Sequence, residues 1–164
     1  MAIDFVSMVN RMISGGQTGV DRAALDFALK AGIECGGWIP KGRMAEDGII
    51  PTKYPNLKET ESDNSKERTE RNVRDSDGTL VITRGNPSGG SAFTLQVARH
   101  FDKPVLHVDL ERESVDVASL RLREWIQKVN PAILNIAGSR NSEDRKIYEL
   151  TITLLEMTFR QSRS

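Results

Sequence analysis

The amino-acid sequence predicts an α/β fold, a single doubly wound, Rossmann-like three-layer sandwich around a mainly parallel sheet of about five strands. Three features point there. Short apolar runs alternate with longer segments of helical period. The run Thr79–Thr83 (TLVIT) is continuously apolar in type, as a strand covered on both faces requires. Glycine-rich turns follow several of the apolar runs, where such folds carry their ligand loops.

The elements follow in order. Met8–Ile13 reads as the first strand and stops at Ser14-Gly15-Gly16. In Thr18–Lys30, Val20, Ala24, Phe27 and Ala28 share one helical face, and Gly32 ends the helix. Ile33–Ile39 is a second strand. Pro40–Leu57 has no period and reads as a long loop, and loops beyond about 12–15 residues are often functional. Lys58–Asp77 holds twelve charged residues in twenty, with Glu67/Arg71 and Glu70/Arg74 four apart in the favourable order. It predicts a charged helix, capped by Asn64 or Ser65, on the surface or at a subunit interface. Its Arg68, Arg71 and Arg74 serve either as a solvated face or as cations turned toward an anionic ligand or another subunit. After Thr79–Thr83 come a loop, a helix over Ser91–Phe101, a buried strand at Pro104–Asp109, an amphipathic helix over Ser114–Val129 and a strand at Ala132–Ala137. A last helix, capped by Asn141 or Ser142, runs to about Arg160. It carries two apolar stripes, Ile147, Leu150, Leu154 and Thr158 on one and Tyr148, Ile152, Leu155 and Phe159 on the other. The second stripe predicts a subunit contact in a dimer or tetramer. The whole chain, 1–164, forms one domain, and residues 1–7 stand open between order and disorder.

Composition narrows the function. Lys plus Arg and Asp plus Glu both number 23, so the net charge is zero and a general nucleic-acid or membrane binder is a poor fit. No apolar run approaches the roughly 20 residues that cross a bilayer, and the start lacks a secretory pattern. Cys35 is the one cysteine, which excludes an internal disulfide and points to the cytoplasm. It reads as buried and inert. His107, inside an apolar strand, reads as a satisfied core residue, and His100 as a helix-end cation. With no His, Cys and carboxylate at ligand spacing, no protein-held metal is expected.

Three strand-ending loops carry the chemistry. In the first, Gly15, Gly16 and Gly19 permit a tight turn and close backbone approach, Gln17 and Thr18 add polar groups, and Arg22 adds charge at a helix start suited to an oxyanion. Asp21 has a plainer use, as acceptor for first-turn N–H groups. The second loop offers Asn86, Ser88, Gly89, Gly90, Ser91 and, one turn on, Thr94. With a sheet order 3-2-1-4-5, these two loops leave neighbouring strands and form a backbone anion cradle at the switch point. The third offers Ser139 and Arg140, the latter able to pair with an anion in planar fashion. Lys41 and Arg43 stand in the long loop, which can close over a ligand. Trp38 is either core or a stacking surface for a flat ring.

Five stretches resemble the molybdenum carrier family, part of a larger group of Rossmann-like proteins related to YpsA and to lysine-decarboxylase-like (LOG) proteins. They are Gly15–Leu25 (GGQTGVDRAAL), Gly37–Ile50 with Tyr54-Pro55, Arg71–Leu80 (RNVRDSDGTL), Gly85–Thr94 (GNPSGGSAFT) and Asn135–Asn141 (NIAGSRN). The resemblance implies a self-associating Rossmann-like domain that binds molybdenum cofactor (molybdopterin), a phosphorylated pterin whose metal arrives on the pterin. LOG-type ribohydrolases carry Pro-Gly-Gly-x-Gly-Thr-x-x-Glu. Here Ser88–Gln96 (SGGSAFTLQ) keeps the phosphate-cradling part and has no carboxylate at the glutamate's place.

The expected function is therefore a binding or carrier protein for a phosphorylated heterocycle, molybdenum cofactor first among them, with no nucleic-acid or membrane partner. The alternative is a nucleotide-processing hydrolase with Glu46 or Asp47 as general acid. A third is a structural interaction module, indifferent to blocking of the glycine loops.

Overall fold

The computed structural model describes residues 4–160. The chain opens with a short helix α1 (Phe5–Met8), capped by the Asp4 carboxylate, and enters strand β1 (Arg11–Ile13). Part of the stretch 1–7 is thus helical, with Phe5 buried, while residues 1–3 lie outside the described residues. Helix α2 (Val20–Ala31) ends at Gly32 in the left-handed conformation. Then come β2 (Glu34–Ile39), a small antiparallel hairpin of β3 (Met44–Ala45) and β4 (Gly48–Ile49), and β5 (Leu57–Glu59). Helix α3 (Ser65–Arg74) has Asn64 as its cap. The remainder alternates regularly as β6 (Gly78–Thr83), α4 (Gly89–His100), β7 (Val105–Asp109), α5 (Val115–Val129), β8 (Ile133–Gly138) and α6 (Ile147–Phe159).

Six parallel strands form the sheet, in the order β5-β2-β1-β8-β6-β7. Helices α2, α5 and α6 pack together in one group, and α3 and α4 in another. The α/β sandwich is the expected one, with two differences. The stretch Lys58–Asp77, expected as one charged helix, is helical only over Ser65–Arg74, and its first two residues with Leu57 form β5, a sixth strand too short and too polar to show a period. The last strand, β8, lies between β1 and β6, so those two are not neighbours as expected. Numbered from β6 onward and round through β1, the order reads 2-1-3-4-5-6, which is the flavodoxin-like doubly wound pattern with its chain opened elsewhere. The switch point falls between β6 and β8.

Met12, Leu80, Ile82, Leu134 and Ile136 are fully buried at the centre of the sheet, and Leu122, Ile126, Ile147 and Leu154 fill the α5–α6 side. Cys35 is buried, and burial pushes its thiol up. His107 is half-buried and bonds the Thr83 hydroxyl at 2.8 Å, and burial pushes its pKa down. The last helix starts at Ile147, not at Asn141 or Ser142, which lie in a turn. Both of its stripes are taken up inside the chain by α2 and α5, so the second stripe needs no second subunit to cover it.

Helix α3 is tied to β2 by one side chain. The buried Asn72 amide accepts from the Trp38 N–H at 2.8 Å and donates to the Trp38 carbonyl at 3.0 Å, as a neighbouring strand would. The Trp38 ring lies under the Arg71 guanidinium, 4.7 Å away, and its Nε1 donates to Asp75 at 2.8 Å. It is neither deep core nor a free stacking surface.

Asp26 on α2 fastens two other segments, accepting from Tyr54 OH at 2.6 Å and from Tyr148 OH at 2.5 Å. Burial, and then the Asp26 carboxylate, push both phenols well above their ordinary value of 10.0. A phenol with a raised folded-state pKa stabilises the fold fully below its unfolded value, and this stabilisation is lost as pH rises from there. Urea midpoints are expected to fall between about pH 9 and 11. Tyr148→Phe should lower the neutral-pH stability by about 1 kcal/mol and flatten that alkaline slope.

Candidate functional site

The first glycine loop, Ser14–Gly19, is closed on an anion of its own. Asp21, on the first turn of α2, is buried, and its carboxylate accepts from the Gln17 N–H at 3.2 Å and from the Gly15 N–H. Arg68 on α3 crosses the same turn. Its Nη1 donates to the Gly15 carbonyl at 2.7 Å and stands 3.9 Å from Asp21 Oδ2. Gly15 permits this, because a Cβ there would stand 2.5 Å from Arg68 Nη1. Burial pushes the Asp21 carboxyl up, against Arg68, the Gln17 N–H, Arg22 and the Gly15 N–H.

Most polar groups expected to reach a ligand from this loop instead hold the loop itself. Thr18 N–H donates to Gln17 Oε1 at 3.0 Å, and the Thr18 hydroxyl donates to Glu46. Arg22 donates twice to the Gly16 carbonyl, at 3.1 Å each, and pairs with Asp47 at 3.0 and 3.1 Å. Gly19 has φ +78°, and a Cβ there would collide with the Ser139 carbonyl, which accepts the Val20 N–H at 3.1 Å.

The second glycine loop is open. Ser88 caps α4 by position without a capping bond from its side chain, and no acidic residue stands in the helix's first turn. Among the described residues, no acceptor takes the Gly89 or Gly90 N–H. A Cβ at either glycine would meet nothing within 4 Å. Ser91, 3% exposed, has a buried hydroxyl with no partner. Arg43 Nε and the Thr151 hydroxyl are likewise buried without a partner, and of the three residues only Ser91 lines the cleft between the two glycine loops, where a group from outside can reach it.

Both loops border one cleft of about 120 Å³. Gly15, Gln17 and Asp21 form one side, and Gly90, Ser91 and Thr94 the side opposite. Between them β8 supplies Asn135, Ala137 and Gly138, α3 supplies Ser65, Arg68, Thr69 and Asn72, and Arg140 and Glu143 stand on the segment after β8. The cleft therefore lies at the switch point, beside the strand that the expected order had placed elsewhere. Of the sixteen residues expected to hold a ligand, Gly15, Gln17, Gly90, Ser91, Thr94 and Arg140 line it. Gly16, Thr18, Gly19, Arg22, Ser88, Gly89 and Ser139 stand behind or beside the lining. Lys41, Arg43 and Asn86 are brought elsewhere. Lys41 is exposed, Arg43 donates to the Ile50 and Pro51 carbonyls at 3.2 and 3.3 Å, and Asn86 borders a separate hollow with His107 and Asp109.

Glu46 and Asp47 occupy the tip of the β3–β4 hairpin, outside the lining of the cleft. Glu46 accepts from the Ser142 hydroxyl at 2.6 Å, the Ser142 N–H at 3.0 Å and the Thr18 hydroxyl. Burial raises its pKa, and these bonds with Arg140 outweigh it and hold the carboxyl low. The Arg22 hydrogen bonds hold Asp47 low as well. Both act as ionised ties between loops, whereas a general acid must keep its proton near neutral pH.

Arg68 was one of three candidate cations on the charged helix, and the fold selects it. Arg71 is spent on Trp38 and Glu67, and Arg74 on Asp75. Asn135, Thr69 and Glu143 were missed. A signal existed for two of them. Ser65, Thr69, Asn72 and Val73 are the uncharged residues of α3 at helical spacing, and Asn135 is a lone amide inside an apolar strand.

Fold and cleft together define a Rossmann-like protein of the doubly wound class with a polar cleft, lined in part by Arg68 and Arg140, at its switch point. Residues 12–159 match the model of the circularly permutated YpsA SLOG family, and the chain belongs to that family. The permutation agrees with the strand order above. A crystal structure of a protein from Syntrophus aciditrophicus SB, named "Putative molybdenum carrier protein", is 48% identical, covers 92% of this chain and 95% of that one, and superposes with a TM-score of 0.90. No curated protein matches the chain. Among the described residues, no helix is long and apolar enough to cross a membrane, and no cluster of three His, Cys, Asp or Glu side chains can hold a metal ion.

The two glycine loops should respond differently to substitution. Gly19→Ala is expected to lower the unfolding free energy by about 2–3 kcal/mol, through positive φ and the Ser139 clash. Gly90→Ala should leave it within about 1 kcal/mol of the parent, on the stabilising side. Chemical denaturation of the two variants checks this.

Proposed function

We propose that this chain is a binding or carrier protein for a phosphorylated heterocycle, and that its cargo is molybdenum cofactor. The observation that carries the reading is the unpartnered Ser91 hydroxyl beside the free first-turn N–H groups of α4, with Arg68 and Arg140 lining the same cleft. A phosphate seated there receives backbone N–H groups, the positive end of a 12-residue helix and a hydroxyl donor. Arg68 adds a charge whose side chain is only 14% exposed, where an ionic hydrogen bond is screened least. The polar floor of Asn135 and Thr69 faces the rest of the ligand. The cofactor's metal stays on the pterin, consistent with a cleft that offers amides, hydroxyls and guanidinium groups. The name of the similar crystal structure supports the choice of cargo. We extend the proposal to the expected cytoplasmic setting and, on the family resemblance alone since α6 is covered within the chain, to a dimer or tetramer, for which light scattering is the test.

Native mass spectrometry of protein produced in a host that makes molybdenum cofactor is expected to show the cofactor retained. Titration of the stripped chain should show one site. Ser91→Ala is expected to weaken binding about 5-fold with the fold intact, whereas Arg68→Met should weaken it about 100-fold and also lower the unfolding free energy, because it leaves Asp21 without its cation. A stripped chain that takes up no phosphorylated pterin or nucleotide would end the reading.

A further inference from the structure

The charges around the cleft balance, with Arg68 and Arg140 against Asp21 and Glu143. The two acids are placed differently. Asp21 is buried under the first loop and belongs to its backbone. Glu143 is exposed and stands on the segment after β8, opposite the entrance of α4. Its Oε1 accepts from Arg140 Nε at 3.2 Å and from the Arg140 N–H at 3.4 Å. Its Oε2 accepts from the Ser88 hydroxyl at 3.5 Å. A carboxylate thus stands between a guanidinium and the capping residue of α4, one turn from the Ser91 hydroxyl that has no partner.

We propose that Glu143 is a built-in competitor for the phosphate seat, and that the ligand binds by exchanging its phosphate for this carboxylate on Arg140 and Ser88. The inference rests on the phosphate-binding reading above and makes it more specific. The exchange is physically cheap. Both partners are partly exposed, with side chains 47% and 34% accessible, and an ion pair of that kind is worth little. Once released, Glu143 moves into water at small cost, whereas Asp21 has no such exit. The charge count then selects the ligand. A single phosphate monoester carries about −1.5 to −2 at neutral pH. With Glu143 displaced, it meets two arginines offset by Asp21 alone. A diphosphate or triphosphate brings further negative charge that no other side chain of the lining neutralises. The ligand class is accordingly a heterocycle with one terminal phosphate monoester.

The test uses the full chain and inorganic probes, so that recognition of the heterocycle plays no part. Phosphate and pyrophosphate are titrated into the parent, Glu143→Gln, Arg140→Gln and the double variant by calorimetry at low and high salt, with thermal melting as the folding control. Glu143→Gln is expected to bind phosphate about two- to fivefold tighter at low salt, a gain that shrinks in high salt. The gain should vanish when Arg140 is already glutamine, and phosphate should bind at least as tightly as pyrophosphate. Equal or weaker phosphate binding by a folded Glu143→Gln overturns the competitor role and leaves the carrier reading intact. Tighter binding of pyrophosphate overturns the monoester selection. Phosphate binding by none of the four chains overturns the inference, while cofactor retention in native mass spectrometry still decides the carrier reading.

Discussion

The arrangement of this molecule depends on the burial of one carboxylate. Asp21 is buried at the edge of the cleft, and an ion so poorly solvated must be hydrogen-bonded and paired or it destabilises its surroundings. It is satisfied by the N–H groups of the Ser14–Gly19 turn and by Arg68 from a helix far along the chain. That requirement fixes the turn, holds α3 against it, and points the Arg68 guanidinium along the cleft. Asn72, one helical turn beyond Arg68, secures the same helix to β2 through the Trp38 backbone. A local acid and a distant base thus build one wall of the cleft before any ligand enters.

This also explains why two similar glycine loops behave differently. Each follows a strand, opens a helix and is rich in small polar residues. Helix α2 carries Asp21 in its first turn, and α4 has no acid in its own. The first loop therefore supplies its own anion and becomes a structural knot. The second leaves the Gly89 and Gly90 N–H groups and the Ser91 hydroxyl without a partner among the described residues. The sequence offered Asp21 as an acceptor for first-turn N–H groups, and the structure turns it back instead onto the Gly15 and Gln17 N–H groups of the loop before the helix.

Other parts were legible to different depths. The strands at the centre of the sheet announced themselves through continuous apolar runs, and their helices through period and caps such as Asn64 and Ser114. Their order did not. Nothing in the local pattern of Ile133–Gly138 distinguishes a strand at the sheet's edge from one inserted beside β1, because strand order is settled by crossovers and not by propensity. Strand β5 was invisible for the opposite reason. Only three residues long and mostly exposed at an edge, it carries no burial pattern to read.

The start of the last helix shows how such a local error bears on the site. Asn141 and Ser142 are good caps, yet α6 begins at Ile147. The intervening acids are committed to other segments. Asp144 takes Arg84 in a two-pronged pair at 2.7 and 2.9 Å, and its side chain is 9% exposed. Glu143 reaches Arg140 and Ser88, and Ser142 is bound by Glu46 of the hairpin. A helix begun at Ser142 would turn these side chains around its own axis and give up ties to two different segments, the β6–α4 loop through Arg84 and Ser88 and the β3–β4 hairpin through Glu46. The chain instead keeps Ser139–Lys146 as a strap across the ends of β1, β8 and β6, and the strap is what brings Arg140 and Glu143 to the cleft. The sixfold parallel sheet places the loops, but the side-chain bonds of this strap decide which of them share a surface.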